Sequence, residues 1–227
     1  MPQTLKEFRA VGASVVAVLD HLIVGADSLA RAVPELERFL GVSLSGGGKH
    51  VTMGTHNKLL RLGNDAYLEV LAIDPEGTRP ERPRWVGLDE PETRARLAEG
   101  PRLLHWSARV DTTKLPELPL DIGPFERFQR GDFAWELTVR GDGRLAADGL
   151  APSLIHWEGS YPVERLPDVG VTLETLELEH PRAAEVQRQL DALGLSIRCS
   201  EAAVPRVTAH LRTPAGTRTI RSTESIR

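Results

Sequence analysis

The order of the predicted secondary-structure elements is the feature that most constrains this fold. A strand rich in β-branched residues runs from Val15 to Gly25. Apolar residues at helical spacing follow from Leu29, and Gly41 ends that helix. Three strand patterns come next. The same β-α-β-β-β order recurs in the middle of the chain, with its helix reduced, and a third time near the end. Such repetition indicates a fold built from paired units, because one unit cannot bury its sheet face alone.

A segment of different composition separates the first two units. It is rich in Pro, Arg and Glu, which is typical of a linker, and it contains one short helical pattern at 92–99. In the second unit only a weak helical turn is predicted, over 112–119. The predicted organisation is a first βαβββ unit over 14–74, a linker with a short helix over 75–102, a second unit with a reduced helix over 103–160, and a third βαβββ-like unit over 161–227.

Composition excludes several classes of function. The 227 residues are 41% hydrophobic, which is enough for a real core, and 32 acidic residues face 28 basic ones. This balance predicts neither a nucleic-acid partner nor a membrane partner. Cys199 is the only cysteine, so an internal disulfide and a cysteine-based zinc cluster are both excluded. The apolar run after Lys6 and Arg9 is similar to a secretory signal, but it continues into Asp20 and His21 without a cleavage site. We therefore predict a cytoplasmic protein, with a homodimer as one possible assembly.

Four segments carry a resemblance to a known family: DHLIV (20–24), KHVTMGTHN (49–57), AYLEVLA (66–72) and PSLIHWEGSYP (152–162). Together they resemble the vicinal oxygen chelate superfamily, and more closely its glyoxalase-like domain family. The resemblance implies an α+β fold in which repeated βαβββ units form a concave, partly closed mixed sheet with helices on the outside. It also implies a cavity that in many members holds one divalent metal ion, whereas other members bind no metal. The fold alone does not name the reaction.

The alignment of the first unit with the second predicts four metal ligands. LDHLIV aligns with LLHWSA, which pairs His21 with His105, and YLE aligns with LIH, which pairs Glu69 with His156. Three imidazoles and a carboxylate suit Zn, Ni, Fe or Mn. Without a metal, the same side chains would form a hydrogen-bonded polar cluster. Strand alternation places Asp20 on the face opposite His21.

Other residues are candidates for proton transfer or substrate contact. Glu158 and Glu69 are the predicted proton-transfer carboxylates. The predicted substrate contacts come from the KHVTMGTHN segment and from the second unit: His50, Asn57, Arg109 and Trp157. The alternative for the first two is a hairpin that holds itself together, since Gly, Thr and Asn residues also shape turns.

Two main functions and one further alternative follow. The first is a glyoxalase-like metal-dependent enzyme of lyase, isomerase or dioxygenase type that acts on a small oxygen-rich substrate. The second is a metal-free small-molecule binding or resistance protein of the same fold. A structural or regulatory module is the third. The first unit could also pair with the third unit, which would bring His21 and Glu69 close to Glu177, Glu179 and His180.

Overall fold

Eight strands build the larger of two sheets in the computed structural model, which describes residues 17–111 and 115–227. Their bounds are β1 Ala17–Gly25, β2 Ser45–His50, β3 Thr55–Leu62, β4 Ala66–Ile73, β5 Arg102–Val110, β6 Phe125–Arg130, β7 Phe133–Thr138 and β8 Ser153–Trp157. The spatial order is β2-β3-β4-β1-β5-β8-β7-β6. The sheet is mixed and curled until it is nearly closed, as the predicted fold class requires.

Three α-helices accompany the sheets: α1 Leu29–Leu40, α2 Pro91–Ala98 and α3 Ala183–Ala192. Gly41 ends α1 as predicted, because it adopts the left-handed conformation with φ of 73° and its N–H bonds the carbonyl of Glu37. One side of α1 is apolar and buries Ala32, Leu36 and Leu40 in the main core. No helix of the described chain combines the length and the apolar character that a membrane crossing requires.

The centre of the large sheet is the antiparallel pair formed by β1 and β5. The first unit therefore pairs with the second and not with the third. Leu22 lies opposite Trp106, and both are fully buried in the core on the helix side of the sheet. Around this point the two halves are related by an approximate twofold: β1 pairs in parallel with β4, and β5 pairs in parallel with β8.

The last four strands form a separate sheet with a different pairing. They are β9 Thr172–His180, β10 Cys199–Glu201, β11 Arg206–Thr213 and β12 Gly216–Arg221, in the order β10-β9-β11-β12. In this sheet the first strand of the unit, β9, pairs in parallel with β10, the strand that follows the helix. In the first unit, β1 pairs in parallel with β4, the last strand of that unit. The element order of the third unit thus repeats that of the first, but its pairing does not. Its apolar face, including Leu178 and Val207, packs into the core that backs the large sheet.

Some predictions fall on residues outside the described ranges. These are the start of the first strand at Val15, part of the apolar run compared with a secretory signal, and the first residues of the helical turn expected over 112–119. The described remainder of that turn, 115–119, forms no helix.

Candidate functional site

The concave side of the large sheet encloses a cavity. Its polar wall contains His21 and Glu69 from the first half, His105, Ser107 and Ser153 from the second, and Arg130 from the edge strand β6. Trp85, Trp135 and Trp157 supply aromatic surface. The cavity has a volume of about 60 Å³, room for a few water molecules, and with its open mouth the empty space is about 810 Å³. Its size suits a small molecule.

His21 lines this cavity and Asp20 is buried beside it, because β1 contains a β-bulge. The register between β1 and β5 shifts between Leu19 and His21, so Asp20 has no partner opposite it and both side chains emerge on the same side. His21 Nδ1 lies 2.8 Å from Asp20 Oδ1. The expectation that Asp20 faces the opposite side is wrong, since strict alternation fails at a bulge.

Asp20 is fully buried and is held from two directions. Trp157 donates its indole N–H to Asp20 Oδ2 at 3.1 Å, and Arg109 Nη1 lies 3.5 Å from the same oxygen. Tyr67 stacks on the His21 ring with the ring centres 4.6 Å apart. These contacts leave the imidazole few orientations. A buried carboxylate on Nδ1 is the arrangement that directs the other ring nitrogen, Nε2, toward a reactant.

Glu69 is the acid that His21 faces across the cavity. Its Oε2 lies 3.7 Å from His21 Nε2, too far for a direct hydrogen bond. Its other oxygen accepts a 2.5 Å hydrogen bond from Asn57 Nδ2. A carboxylate that is about one-tenth exposed and bonded on one oxygen only has its second oxygen free for a ligand.

The second half of the sheet contains a counterpart of this pair with different chemistry. In the first half, Glu69 on β4 is paired with Ile23, which follows His21 by two residues on β1. In the second half, Ser153 on β8 is paired with Ser107, which follows His105 by two residues on β5. The counterpart of Glu69 is therefore Ser153. The prediction that His156 is the counterpart is wrong by three residues. The reason is that spacing along the chain does not report the register of strands that meet through a long connection.

His105 is engaged at both ring nitrogens. Nδ1 lies 2.9 Å from the carbonyl oxygen of Gly149, and Nε2 accepts a hydrogen bond from the Ser153 N–H at 3.1 Å. Burial lowers the pKa of His105 to about 4, so the ring is neutral at physiological pH. A neutral imidazole with both nitrogens bonded to backbone has no lone pair left for a metal or a substrate.

Two other predicted residues, His156 and Arg109, line a second cavity, and Trp157 lies between the two. That cavity is at the start of β1 and the ends of β5 and β8. His156 Nδ1 bonds the carbonyl of Val110 at 3.1 Å, and Arg109 stacks on Tyr161 at 4.3 Å. Arg109 therefore contacts Asp20 rather than the space in front of His21. Trp157 lines both cavities and also bonds Asp20.

Glu158 lies outside the first cavity. It is exposed and paired with Arg127 through two hydrogen bonds of 2.6 and 2.9 Å, and this pairing lowers the pKa of the carboxyl group. The structure thus separates the two predicted proton-transfer acids, with Glu69 inside the cavity and Glu158 at the surface.

The residues present do not fit the predicted metal centre. Of the four proposed ligands, His21 and Glu69 face each other, His105 has no free nitrogen, and His156 borders the other cavity. Within the described ranges, no group of three or more His, Cys, Asp and Glu side chains is arranged to hold a metal ion. Two donors are fewer than the three protein ligands typical of catalytic zinc sites.

His50 and Asn57, both predicted as substrate contacts, lie in the cavity wall beside Arg130. Arg130 Nη1 lies 3.0 Å from His50 Nε2 and 2.9 Å from Asn57 Oδ1. Burial lowers the pKa of His50 to about 3, and the charge of Arg130 acts in the same direction. His50 is therefore a neutral acceptor for the guanidinium group.

Residues 19–194 match the sequence model of a protein family described as a glyoxalase-like domain. The chain belongs to this family. No curated protein matches the sequence. A glyoxalase-like fold with a cavity inside the curled sheet supports an enzyme or a small-molecule binding protein of the vicinal oxygen chelate type.

Solved structures agree with this fold. A hypothetical protein from Staphylococcus aureus is 16% identical with a TM-score of 0.56, and the match covers 84% of this chain and 88% of that one. Methylmalonyl-CoA epimerase from Mycobacterium tuberculosis is 15% identical with a TM-score of 0.40, over 69% of this chain and 97% of that one. The methylmalonyl-CoA epimerase from Streptomyces coelicolor is 12% identical with a TM-score of 0.40, over 65% and 99%. The first likeness shows the shared fold, and the other two are too weak to carry an argument.

Sequence reasoning missed four residues of the glyoxalase-like site: Asp20, Tyr67, Arg130 and Ser153. The acid next to His21 was visible in the sequence, but only the bulge brings its carboxylate onto His21 Nδ1. Tyr67 and Ser153 lie on predicted strands, but only the strand register shows that they are next to His21 and Ser107. Arg130 had no signal, since it ends an edge strand and reaches across to another edge.

Proposed function

We propose that this protein is a metal-independent enzyme of the isomerase or lyase type, which transfers a proton at a carbon atom next to a carbonyl group of a small oxygen-rich substrate. The observation that carries the proposal is the position of the His21 imidazole between two carboxylates. Asp20 bonds Nδ1, and Glu69 lies 3.7 Å beyond Nε2.

The role of each residue follows from this geometry. With its proton on Nδ1 directed to Asp20, neutral His21 presents the lone pair of Nε2 to the substrate and acts as general base. The imidazolium that forms is stabilised by Asp20 on one side and by Glu69 on the other. Glu69 stands where it can accept the proton or return it to a neighbouring atom of the substrate. The buried hydroxyl of Ser107, which has no hydrogen-bond partner among the described residues, supports the polarisation of a substrate oxygen.

The metal-dependent form of this function has less support. The predicted metal centre takes two ligands from each half, and the second half offers a fully bonded His105 and a serine. A ring-cleaving dioxygenase would in addition require a redox-active metal. Proton transfer by side chains needs neither.

The test is solvent deuterium exchange into a panel of small 2-oxo and 2-hydroxy acids, followed by NMR, with chelator-treated protein that carries no histidine tag. We expect exchange into at least one compound in the wild-type protein and none with His21→Gln. Elemental analysis of the same sample checks the metal content. Exchange that disappears on chelation and returns with one added metal would overturn the metal-independent mechanism.

A metal-free binding protein is the second candidate function. The tilted ring pair of Trp135 and Trp157, with centroids 5.4 Å apart, favours it, because aromatic walls bind flat ligands without any reaction. Tight binding of a compound that never exchanges deuterium, in a protein that exchanges none of the panel, would favour this function over the enzyme.

A further inference from the structure

Arg130 carries a positive charge into the cavity without a negative partner. Its two hydrogen bonds go to neutral acceptors, the ring of His50 and the amide oxygen of Asn57. No carboxylate of the described residues lies within ion-pair distance of it. The two other arginines at the cavity differ, since Arg140 pairs with Asp121 and Asp142 and Arg144 pairs with Glu90.

Both contacts of Arg130 use a single nitrogen, Nη1. The remaining guanidinium nitrogens make no hydrogen bond to any described residue, so the fork that matches a carboxylate is still available. The neutral partners orient the group without neutralising it. This is the arrangement expected of a residue that binds an anionic ligand.

The edge strand β2 leaves room for the Arg130 side chain to enter the cavity. β2 contributes three consecutive glycines, and a Cβ atom on Gly48 would come within 3.2 Å of Arg130 Cδ. A side chain at that position would therefore press on the arginine stem where it crosses from β6 to β2. The absence of a side chain at Gly48 leaves room for Arg130 to reach His50 from the other edge strand.

Asn57 connects this charge to the reacting groups. Its amide oxygen accepts from Arg130, and its amide nitrogen donates to Glu69. An anion on Arg130 would thus lie one side chain away from Glu69 and His21. Aromatic rings stand beside the same spot: the ring centres of Trp85 and Trp135 lie 5.1 and 6.1 Å from that of His50.

We infer that the substrate is a small planar carboxylate, with its carboxylate on Arg130 and its carbon skeleton against Trp85 and Trp135. This inference rests on the proposed function for what happens after binding, but the binding step is independent of it. The charge of Arg130 selects the anion, and the tryptophans select a flat apolar body.

The test uses the intrinsic fluorescence of the cavity tryptophans, titrated at neutral pH with benzoate and with benzamide, which has the same shape but no charge. We expect benzoate to bind and benzamide to bind roughly 10- to 100-fold more weakly, the usual effect of a lost charged hydrogen bond. Arg130→Gln should weaken benzoate by a similar factor, and Arg130→Lys should recover part of the loss. Arg127→Gln is the matched control on the same strand and should leave benzoate binding unchanged.

Several outcomes would overturn the inference: no benzoate binding to the wild-type protein, equal binding of benzoate and benzamide, or full benzoate affinity in a folded Arg130→Gln variant. Failure of the proposed proton transfer gives a different result, because it affects deuterium exchange and not benzoate binding. Glu69→Gln should slow deuterium exchange by about 10²- to 10⁴-fold and keep benzoate binding. A site that binds benzoate through Arg130 but exchanges no carboxylate substrate would retain the anion site and remove the proton transfer. With the matching neutral amides added to the panel, exchange only into the amides would remove the anion site and retain the proton transfer.

Discussion

The two halves of the large sheet place a histidine at equivalent points and surround it with opposite chemistry. In the first half, His21 has a buried carboxylate on one nitrogen and a second carboxylate facing the other. In the second half, His105 is bonded on both nitrogens by the backbone of Gly149 and Ser153. The first arrangement leaves a reactive nitrogen in the cavity and the second uses the ring as a structural cross-link. The internal symmetry of this fold therefore does not extend to the chemistry around its equivalent histidines.

After the loss of exchange expected for His21→Gln, the largest effect comes from replacing Glu69, the acid that distinguishes the first half. Glu69→Gln retains the shape and the bond to Asn57 but cannot exchange a proton. We expect the deuterium-exchange rate to fall by about 10²- to 10⁴-fold, the usual contribution of a general acid or base. Glu158→Gln, an acid of the same type at the surface, is the control. Equal loss in both variants would contradict the assignment of Glu69.

A smaller effect is expected from the carboxylate that orients His21. In Asp20→Asn the donors Trp157 and Arg109 hold the amide oxygen on their side, so the amide NH2 faces His21 Nδ1 and favours the wrong tautomer of the imidazole. We expect kcat to fall by about 10- to 100-fold while KM stays nearly constant, because the substrate does not contact Asp20. Steady-state kinetics at several pH values measures this. A change confined to KM would show that Asp20 shapes the binding surface rather than the base.

The comparison also predicts how stability depends on pH. The pKa of His105 is about 4 in the folded protein, below its ordinary value of 6.5, so the unfolded chain binds this proton more readily. Stability should therefore fall as the pH drops from about 6.5 toward 4, with a slope of up to about 1.4 kcal/mol per pH unit from this residue. Urea unfolding across that range measures the slope, which His105→Gln should reduce. An unchanged slope in the variant would show that the ring is not kept neutral by burial.

The smallest effects should come from two of the three predicted site residues that lie outside the first cavity, His156 and Glu158. His156→Gln and Glu158→Gln leave the surroundings of His21 unchanged, so exchange rate and metal content should both match the wild-type protein. Loss of activity in His156→Gln would indicate that the second cavity takes part in the reaction. That result would weaken the contrast between the two halves.

Much of the fold could be predicted because its signals are local. Gly41 terminates α1, alternating apolar residues mark the strands, and the repeated element order with the DHLIV and PSLIHWEGSYP segments indicates the family. His21, Glu69, His50 and Asn57 line one cavity, and they all belong to the first unit, where short connections limit the possible registers.

The part that could not be predicted depends on long-range register. The overlay of Glu69 on His156 required the alignment of β8 with β5, which are joined by a long connection that includes two other strands. The pairing of the third unit was equally invisible, since β9, β10 and β11 follow the same order along the chain as the strands of the first unit and yet pair differently.

By itself, the sequence determined the glyoxalase-like fold and the residue types available to the site, because hydrophobic periodicity and turn residues act over a few positions. The tertiary structure decided which of those residues meet. A single bulge brings Asp20 to His21, strand register replaces His156 with Ser153, and the curling of the sheet brings Arg130 from one edge to His50 on the other. These contacts join residues that are distant along the chain, and only the packed sheet fixes the distances between them.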